Sequence, residues 1–183
     1  GDFGRVDNFY VPFGRRTAPS IAPPSATICN GGSVGLTASS SSTSLTRVTI
    51  SSTGGPATVT GGPVNANIYP WTTAVSGLPT SGVTLESVTI NGVDHTYPDD
   101  IDILLQSPTG TNVILMSDAG DADNITGRTL TIMDGSPAMT DNPPAGSTLA
   151  SGLYAPTNYG TPDDWPTAPG PGSFSQATPL LSL

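Results

Sequence analysis

Two groups of aspartates in the second half of the chain are the side chains best placed to do chemistry. The first group stands at the start of a predicted strand over residues 101–106, and the second follows its predicted partner over residues 111–116. The six residues are Asp99, Asp100, Asp102, Asp118, Asp121 and Asp123. Antiparallel partners place the start of one strand beside the end of the next, so these carboxylates are expected to converge. Hard oxygen ligands suit Ca²⁺, and the pattern predicts calcium as a cofactor. The alternative is a solvated acidic rim in which aspartates form turns.

The chain contains few residues that could act in nucleophilic or redox catalysis. His95 is the only histidine, so a Ser-His-Asp triad would have to use it. Cys29 is the only cysteine, which excludes an internal disulfide, a CxxC redox site and a cysteine-ligated zinc within this chain. The glycine-rich segments lack the pattern of a phosphate-binding loop. Two carboxylates flanking a sugar would be the remaining hydrolytic arrangement, and we expect that the chain is not an enzyme.

The charge balance argues against several classes of partner. Fourteen acidic residues, thirteen of them aspartate, stand against five arginines and no lysine, and the net charge is −9. Such a surface repels nucleic-acid phosphates and anionic membranes. No apolar run approaches the roughly 18 residues of a membrane-spanning helix. We therefore expect neither nucleic-acid binding nor membrane insertion. The N-terminus lacks the features of a signal peptide, so a secreted protein would be a processed form.

The composition favours short strands over helices. The 183 residues include 22 glycines and 19 prolines, which break helices and supply turns. Short runs of Val, Ile, Leu and Thr are separated by Gly, Pro, Asn and Asp, which is typical of an all-β sandwich or barrel. Strands are predicted over residues 45–50, 57–60, 85–90, 101–106, 111–116 and 129–133. Asn91-Gly92 predicts a tight turn, and Ser107-Pro-Thr-Gly110 predicts the turn of a hairpin.

The chain divides into three parts. Residues 1–25 form an N-terminal arm and a Pro-rich linker, residues 26–67 a Ser/Thr/Gly-rich β segment, and residues 68–183 the main β domain. Four aromatic residues precede the linker: Phe3, Phe9, Tyr10 and Phe13. An aromatic segment ahead of an extended linker predicts an arm that packs on another surface. The alternative is a locally folded strand of the same domain.

Residues 88–120, VTINGVDHTYPDDIDILLQSPTGTNVILMSDAG, resemble the signature of the P domain, or P/Homo B domain, of subtilisin-like proteases. The family pattern is a strand, a His-x-Tyr/Phe-x-x-Asp-Leu/Ile turn, and a second strand closed by Ser/Gly-Pro-x-Gly-Thr. Residues 151–160 resemble a later loop of bacterial members, so the likeness spans roughly residues 68–183. It implies a secreted, jelly-roll, antiparallel β-sandwich, in which His95 takes a structural turn position. None of the catalytic segments of a subtilisin-like protease is present.

The resemblance also implies strands that the chain lacks after residue 180. A sandwich without its last strands exposes unpaired backbone groups, so we expect residues 1–67 or a strand from a neighbouring chain to fill the gap. The first hypothesis is an extracellular or cell-surface module that assembles with copies of itself or with a larger surface protein. The second is an accessory domain of a secreted subtilisin-like serine protease. Asn124-Ile-Thr126 is a formal glycosylation sequon, which makes Asn124 a candidate modification site.

Overall fold

The chain forms an all-β structure. The computed structural model describes residues 5–13, 20–22, 37–39, 46–52, 57–58, 65–120, 122–141, 144, 147–160 and 162–181. Within these ranges the only helical element is one turn of 3-10 helix, Pro98–Asp100. No helix in the described part of the chain has the length and apolar character to span a membrane. The all-β prediction is therefore confirmed.

The described part of the chain contains twelve strands, arranged in four sheets. Their bounds are β1 Arg5–Phe13, β2 Ser20–Ala22, β3 Thr37–Ser39, β4 Thr46–Ile50, β5 Ser87–His95, β6 Ile103–Gln106, β7 Asn112–Ser117, β8 Ile125–Met133, β9 Gly152–Tyr154, β10 Thr157–Asn158, β11 Asp163–Asp164 and β12 Ser173–Phe174. The largest sheet has the order β4-β1-β5-β8-β9, and a second sheet has the order β10-β7-β6. The two remaining sheets are the pairs β2-β3 and β11-β12.

The hydrophobic core contains residues from both larger sheets. Val88 and Ile90 of β5 and Leu130 and Ile132 of β8 alternate along their strands, and they belong to the same cluster as Leu115 of β7. Each of these side chains is at most 3% exposed. Alternation with a period of two places one row of side chains on one face of a strand. One common core therefore joins the two sheets.

The two larger sheets contain both parallel and antiparallel pairs, whereas the family resemblance implied an antiparallel sandwich. Among the described strands, β9 runs parallel to β8 and β10 runs parallel to β7, while the other pairs are antiparallel. Parallel neighbours need a long crossover connection. The segment 134–151, between β8 and β9, supplies one, and its Met139 and Leu149 are buried in the core.

The hairpin of β6 and β7 forms as its turn residues predict. The backbone N–H of Gly110 donates to the carbonyl of Ser107 over 2.9 Å, and the N–H of Ser107 donates to Thr111 over 2.8 Å. Gly110 has a φ of +88°, a conformation that glycine adopts without steric cost. The hydroxyl of Ser107 also accepts the N–H of Thr111 over 3.1 Å. These local contacts join the end of β6 to the start of β7, where Gln106 is in register with Asn112.

The predicted tight turn at Asn91-Gly92 is wrong. Strand β5 continues through both residues to His95, and its register with β8 shifts between Ile90 and Val93. Gly92 has a φ of +65°, so the positive φ that a turn would use serves an irregularity within the strand instead. Pairing with β8 on one side and β1 on the other favours continuation of the strand over reversal.

Residues 5–13 of the N-terminal arm form strand β1 within the main sheet. Phe9 is in register with Ile50 of β4 on one side and with Val88 of β5 on the other. Residues 5–13 are thus a strand of the main sheet, in line with the alternative interpretation of a locally folded strand. Arg47 of β4 forms a two-pronged ion pair with Glu86, with nitrogen–oxygen distances of 2.7 and 2.9 Å, beside the start of β5. This hydrogen-bonded pairing lowers the pKa of the Glu86 carboxyl.

Candidate functional site

Three carboxylates meet at the hydroxyl of Ser117, the last residue of β7. Ser117 Oγ lies 2.8 Å from Asp102 Oδ1, 3.0 Å from Asp163 Oδ2 and 3.4 Å from Asp118 Oδ2. The Ser117 residue itself has no exposed surface. A hydroxyl carries one hydrogen, so it donates fully to only one of the three carboxylates at a time. We call Asp102, Ser117, Asp118 and Asp163 the carboxylate site.

The β6–β7 hairpin brings the first half of this site together. Asp102 immediately precedes β6, whose first residue Ile103 is in register with Met116. This antiparallel register puts Asp102 beside Ser117, as the sequence analysis expected of the start and end of paired strands. Asp118 follows Ser117 directly and has a φ of +49°. Aspartate is one of the few residues other than glycine that adopt this left-handed conformation.

The second half of the site comes from the C-terminal quarter of the described chain. Strand β10 pairs with β7 so that Asn158 is in register with Ser117, and the N–H of Tyr159 donates to the Ser117 carbonyl over 3.2 Å. The chain then passes Asp118 at Gly160, where a β-carbon would lie 2.7 Å from Asp118 Oδ2. Glycine therefore permits this close approach, and the following strand β11 contributes Asp163.

Burial and mutual repulsion disfavour full ionisation of the site. Burial, followed by the negative charges of Asp163 and Asp118, raises the pKa of Asp102. Burial also raises the pKa of Asp163, with a further contribution from the charge of Asp118. In both cases the hydrogen bond from Ser117 acts in the opposite direction. Asp102 as a whole residue keeps solvent-exposed surface, while protein atoms crowd around its carboxyl group. An added proton or a cation would relieve this repulsion.

A buried acceptor lies next to the site. Asn158 is opposite Ser117 in the parallel pair, so the two side chains lie on the same face of the sheet. The Asn158 amide nitrogen donates to Ser175 Oγ over 3.2 Å and to the Gln176 carbonyl over 3.0 Å. Its oxygen Oδ1 is buried, and no hydrogen-bond donor of the described residues reaches it. A buried amide oxygen without a donor is costly unless a ligand satisfies it.

Only part of the predicted metal site comes together at Ser117. Asp102 and Asp118 do so, whereas Asp99 and Asp100 lie on the 3-10 helix and Asp123 is exposed ahead of β8. Asp121 is outside the described residues. Within the described ranges, no group of three or more Asp, Glu, His or Cys side chains is arranged so that it could hold a metal ion. In the carboxylate site, the point of convergence is occupied by Ser117 Oγ.

Sequence reasoning missed Ser117 and Asp163. Asp163 lies 46 residues from Ser117 in the chain, within a region of loops that carries no periodic pattern. The one sequence signal was the pair Asp163-Asp164 beside the Tyr-rich residues 151–160. That signal does not specify a partner. Only the pairing of β10 with β7 does so.

The other predicted sites are placed as follows. Phe9, Tyr10 and Phe13 lie on β1, and Phe3 is outside the described residues. Asn124 of the sequon is exposed, immediately before β8. The Nδ1 atom of His95 lies 2.6 Å from the carbonyl oxygen and 3.0 Å from the amide nitrogen of Tyr97, contacts within its own turn.

Comparison with known proteins identifies no relative of this chain. No family model, no curated protein and no solved structure matches this chain.

Proposed function

We propose that this chain is a non-catalytic structural and interaction module of an extracellular or cell-surface protein, with a P-domain-like jelly-roll architecture, which assembles with copies of itself by exchange of strand β1. The observation that carries the proposal is the place of β1 between β4 and β5. A strand from near one end of the described chain thus occupies the interior of the largest sheet. Its removal would leave two unpaired strand edges, which proteins seldom leave open.

The connectivity permits the same strand to come from a second copy. Residues 14–86 separate β1 from β5, so no short hairpin turn ties the two together. The register of β1 with β5 uses backbone pairs such as Asn8 with Thr89 and Phe9 with Val88. A β1 strand from another chain would form the same backbone hydrogen bonds. Such a contact, repeated head to tail, builds a filament when the rotation between copies does not close a ring.

Engineered cysteines test the exchange directly. In a Cys29→Ser background, the double variant Asn8→Cys/Thr89→Cys places thiols on register partners of β1 and β5, within the range of Cα separations that disulfides bridge. Exchange predicts a ladder of covalent oligomers on a non-reducing gel, with yield rising with protein concentration. Folding within one chain yields a monomeric band with an internal disulfide.

A matched pair in the same sheet supplies the control. Thr89 and Thr131 are register partners in β5 and β8, and their hydroxyl oxygens are 3.1 Å apart. Thr89→Cys/Thr131→Cys should therefore cross-link only within a chain. A ladder from the β1 pair alone supports assembly by exchange. Monomeric bands from both pairs at every concentration would reject it and favour the accessory domain of a secreted subtilisin-like serine protease.

We further propose calcium as the ligand of the carboxylate site. The observations behind this proposal are the burial and the mutual repulsion that raise the pKa values of Asp102 and Asp163 and the buried Asn158 Oδ1 beside Ser117. Carboxylate and amide oxygens are the ligands that Ca²⁺ prefers. Binding requires the carboxylates to turn around Ser117, because their present arrangement does not enclose an ion.

Thermal melting with calcium chloride and with a chelator tests this ligand. A ligand that binds the folded state raises the melting temperature as its concentration increases. The protein should melt at a higher temperature in calcium than in chelator, and Asp163→Asn should abolish most of the difference. Asp123→Asn, a change at an exposed aspartate, is the control. Equal melting temperatures with calcium and with chelator would eliminate calcium as a structural ligand.

A further inference from the structure

A cleft beside the end of strand β4 shares no lining residue with the carboxylate site. Its volume is about 370 Å³, and it is lined by the segment 70–74 together with Ser51, Ser52 and Ile68. This volume lies within the range of small-molecule sites in proteins. Strand β4 ends at Ile50, directly before the first of these residues, so the cleft lies next to the end of a sheet strand.

The chemistry of the cleft is neutral and rich in hydroxyl groups. Ser51, Ser52, Thr72 and Thr73 contribute hydroxyls, and none of the described residues that line the cleft is charged. Trp71 has the largest side chain among the described lining residues. Its indole N–H donates to Ser52 Oγ over 2.5 Å, and Ser52 is only 3% exposed. The indole is therefore held in one orientation by a buried partner, while part of the Trp71 surface stays accessible.

We propose that this cleft binds a neutral carbohydrate, with a pyranose ring packed against Trp71. The electron-rich face of an indole attracts groups with partial positive charge, such as the C–H groups on one face of a pyranose. The hydroxyls of Thr72 and Thr73 both donate and accept hydrogen bonds, as the hydroxyls of a sugar require. The neutral side chains of the described lining and the net charge of −9 disfavour anionic ligands. None of these described residues supplies a carboxylate, which is the usual partner of a cation.

Pro-rich peptides are a second class of ligand that binds against aromatic side chains such as tryptophan. Grooves for such peptides are lined by several aromatic side chains. Among the described residues of the lining, Trp71 is the only aromatic one, and four of the eight are Ser or Thr. The composition of the cleft therefore favours the carbohydrate, and a polyproline peptide becomes a competing probe in the experiment.

Intrinsic fluorescence tests the proposal on the full chain. Trp71 and Trp165 are the two tryptophans of the protein, so Trp165→Phe leaves Trp71 as the only indole. The probes are glucose, galactose, N-acetylglucosamine and their soluble oligomers, with a polyproline decapeptide as comparison. We expect a saturable change of Trp71 emission with at least one sugar. A small ligand in an open cleft corresponds to a dissociation constant on the order of 1 mM.

A variant that fills the cleft separates specific binding from a solvent effect. Thr72 is exposed, so Thr72→Arg places a bulky side chain in the cleft without disturbing the core. It should weaken sugar binding by at least about tenfold and leave the melting temperature unchanged. No saturable response to any sugar, the same response in Thr72→Arg, or a response to polyproline alone would overturn the proposal. None of these outcomes bears on exchange of β1, which is measured by cross-linking.

Discussion

Gly160 lies so close to Asp118 that a β-carbon at position 160 would stand 2.7 Å from Asp118 Oδ2 and 3.2 Å from its Cγ. Gly160 also has a φ of +77°. The approach lets the chain that leaves β10 pass the carboxylate site and reach Asp163. A residue without a side chain therefore stands where the two halves of the site meet.

Gly160→Ala should destabilise the protein by more than its backbone conformation explains. Gly135→Ala is the matched control, since Gly135 has a φ of +79° and a β-carbon added there would meet nothing within 4 Å. Both variants incur the cost of a non-glycine residue at positive φ, about 1 kcal/mol. Gly160→Ala must also displace the Asp118 carboxylate, and we expect about 1–2 kcal/mol beyond the control. Urea unfolding measures both variants, and equal losses would contradict the contact.

The carboxylate site should make the protein more stable in mild acid than at neutral pH. The folded-state pKa values of Asp102 and Asp163 are raised, so the folded state binds protons more readily than the unfolded chain. The stabilisation is complete below the unfolded pKa of aspartate, and it is lost as the pH rises through the raised folded values. Other carboxylates add their own pH dependence, so the difference between variants is the quantity to measure.

Asp102→Asn isolates this contribution. Its amide oxygen can still accept the hydrogen bond from Ser117, while the negative charge of the carboxylate is removed. We expect a higher urea midpoint than wild type at pH 7 and a smaller difference between the two proteins at acidic pH. Asp123→Asn, at an exposed site, should follow the wild-type profile. An Asp102→Asn curve parallel to wild type across the whole range would show that this carboxyl is not proton-linked to folding.

Gln176→Ala should destabilise the protein, because backbone groups of β7 lose their hydrogen-bond partners. The side chain of Gln176 behaves as a peptide group: its Oε1 accepts the Ile114 N–H over 2.9 Å and its Nε2 donates to the Asn112 carbonyl over 3.3 Å. Ile114 is fully buried, so loss of the acceptor leaves a buried N–H unsatisfied. This costs about 1–3 kcal/mol.

Hydrogen exchange distinguishes the two bonds of Gln176. Gln176→Glu keeps an acceptor for Ile114 and removes the donor to Asn112, so the Ile114 amide should stay protected. In Gln176→Ala that amide should exchange faster. Gln106→Ala, at an exposed residue that bonds Asn112 Oδ1 and the Pro169 carbonyl, should leave Ile114 unaffected. Unchanged protection in Gln176→Ala would refute the role of the side chain.

Two adjacent leucines test how firmly the C-terminal segment is held. Leu181 is 1% exposed and belongs to the core, while Leu180 is 55% exposed. The N–H of Leu181 also donates to both carboxylate oxygens of Asp134, over 2.9 and 3.1 Å. Leu181→Ala should cost about 2–4 kcal/mol through the cavity it creates, whereas Leu180→Ala should change the free energy of unfolding by less than about 0.5 kcal/mol. Similar effects would indicate that the segment is not packed in solution.

Features that depend on residues close together in the chain can be predicted from the sequence. Short apolar runs and the turn Ser107-Pro-Thr-Gly110 predict the β6–β7 hairpin, because the turn chemistry and both strands lie within 16 residues. The same hairpin predicts that Asp102 and Asp118 approach one another. Composition predicts an all-β fold for a similar reason, since glycine and proline act on the local backbone.

Tertiary structure alone decided the rest. Whether Asn91-Gly92 reverses the chain or bends a strand depends on the partners β1 and β8, and those partners are distant in sequence. Asp163 reaches Ser117, and Gln176 reaches Ile114, only because β10 and the C-terminal segment pack along β7. A local pattern records which conformation a segment favours. It does not record which of several compatible edges that segment will pair with, because that choice is made by the burial of the whole core.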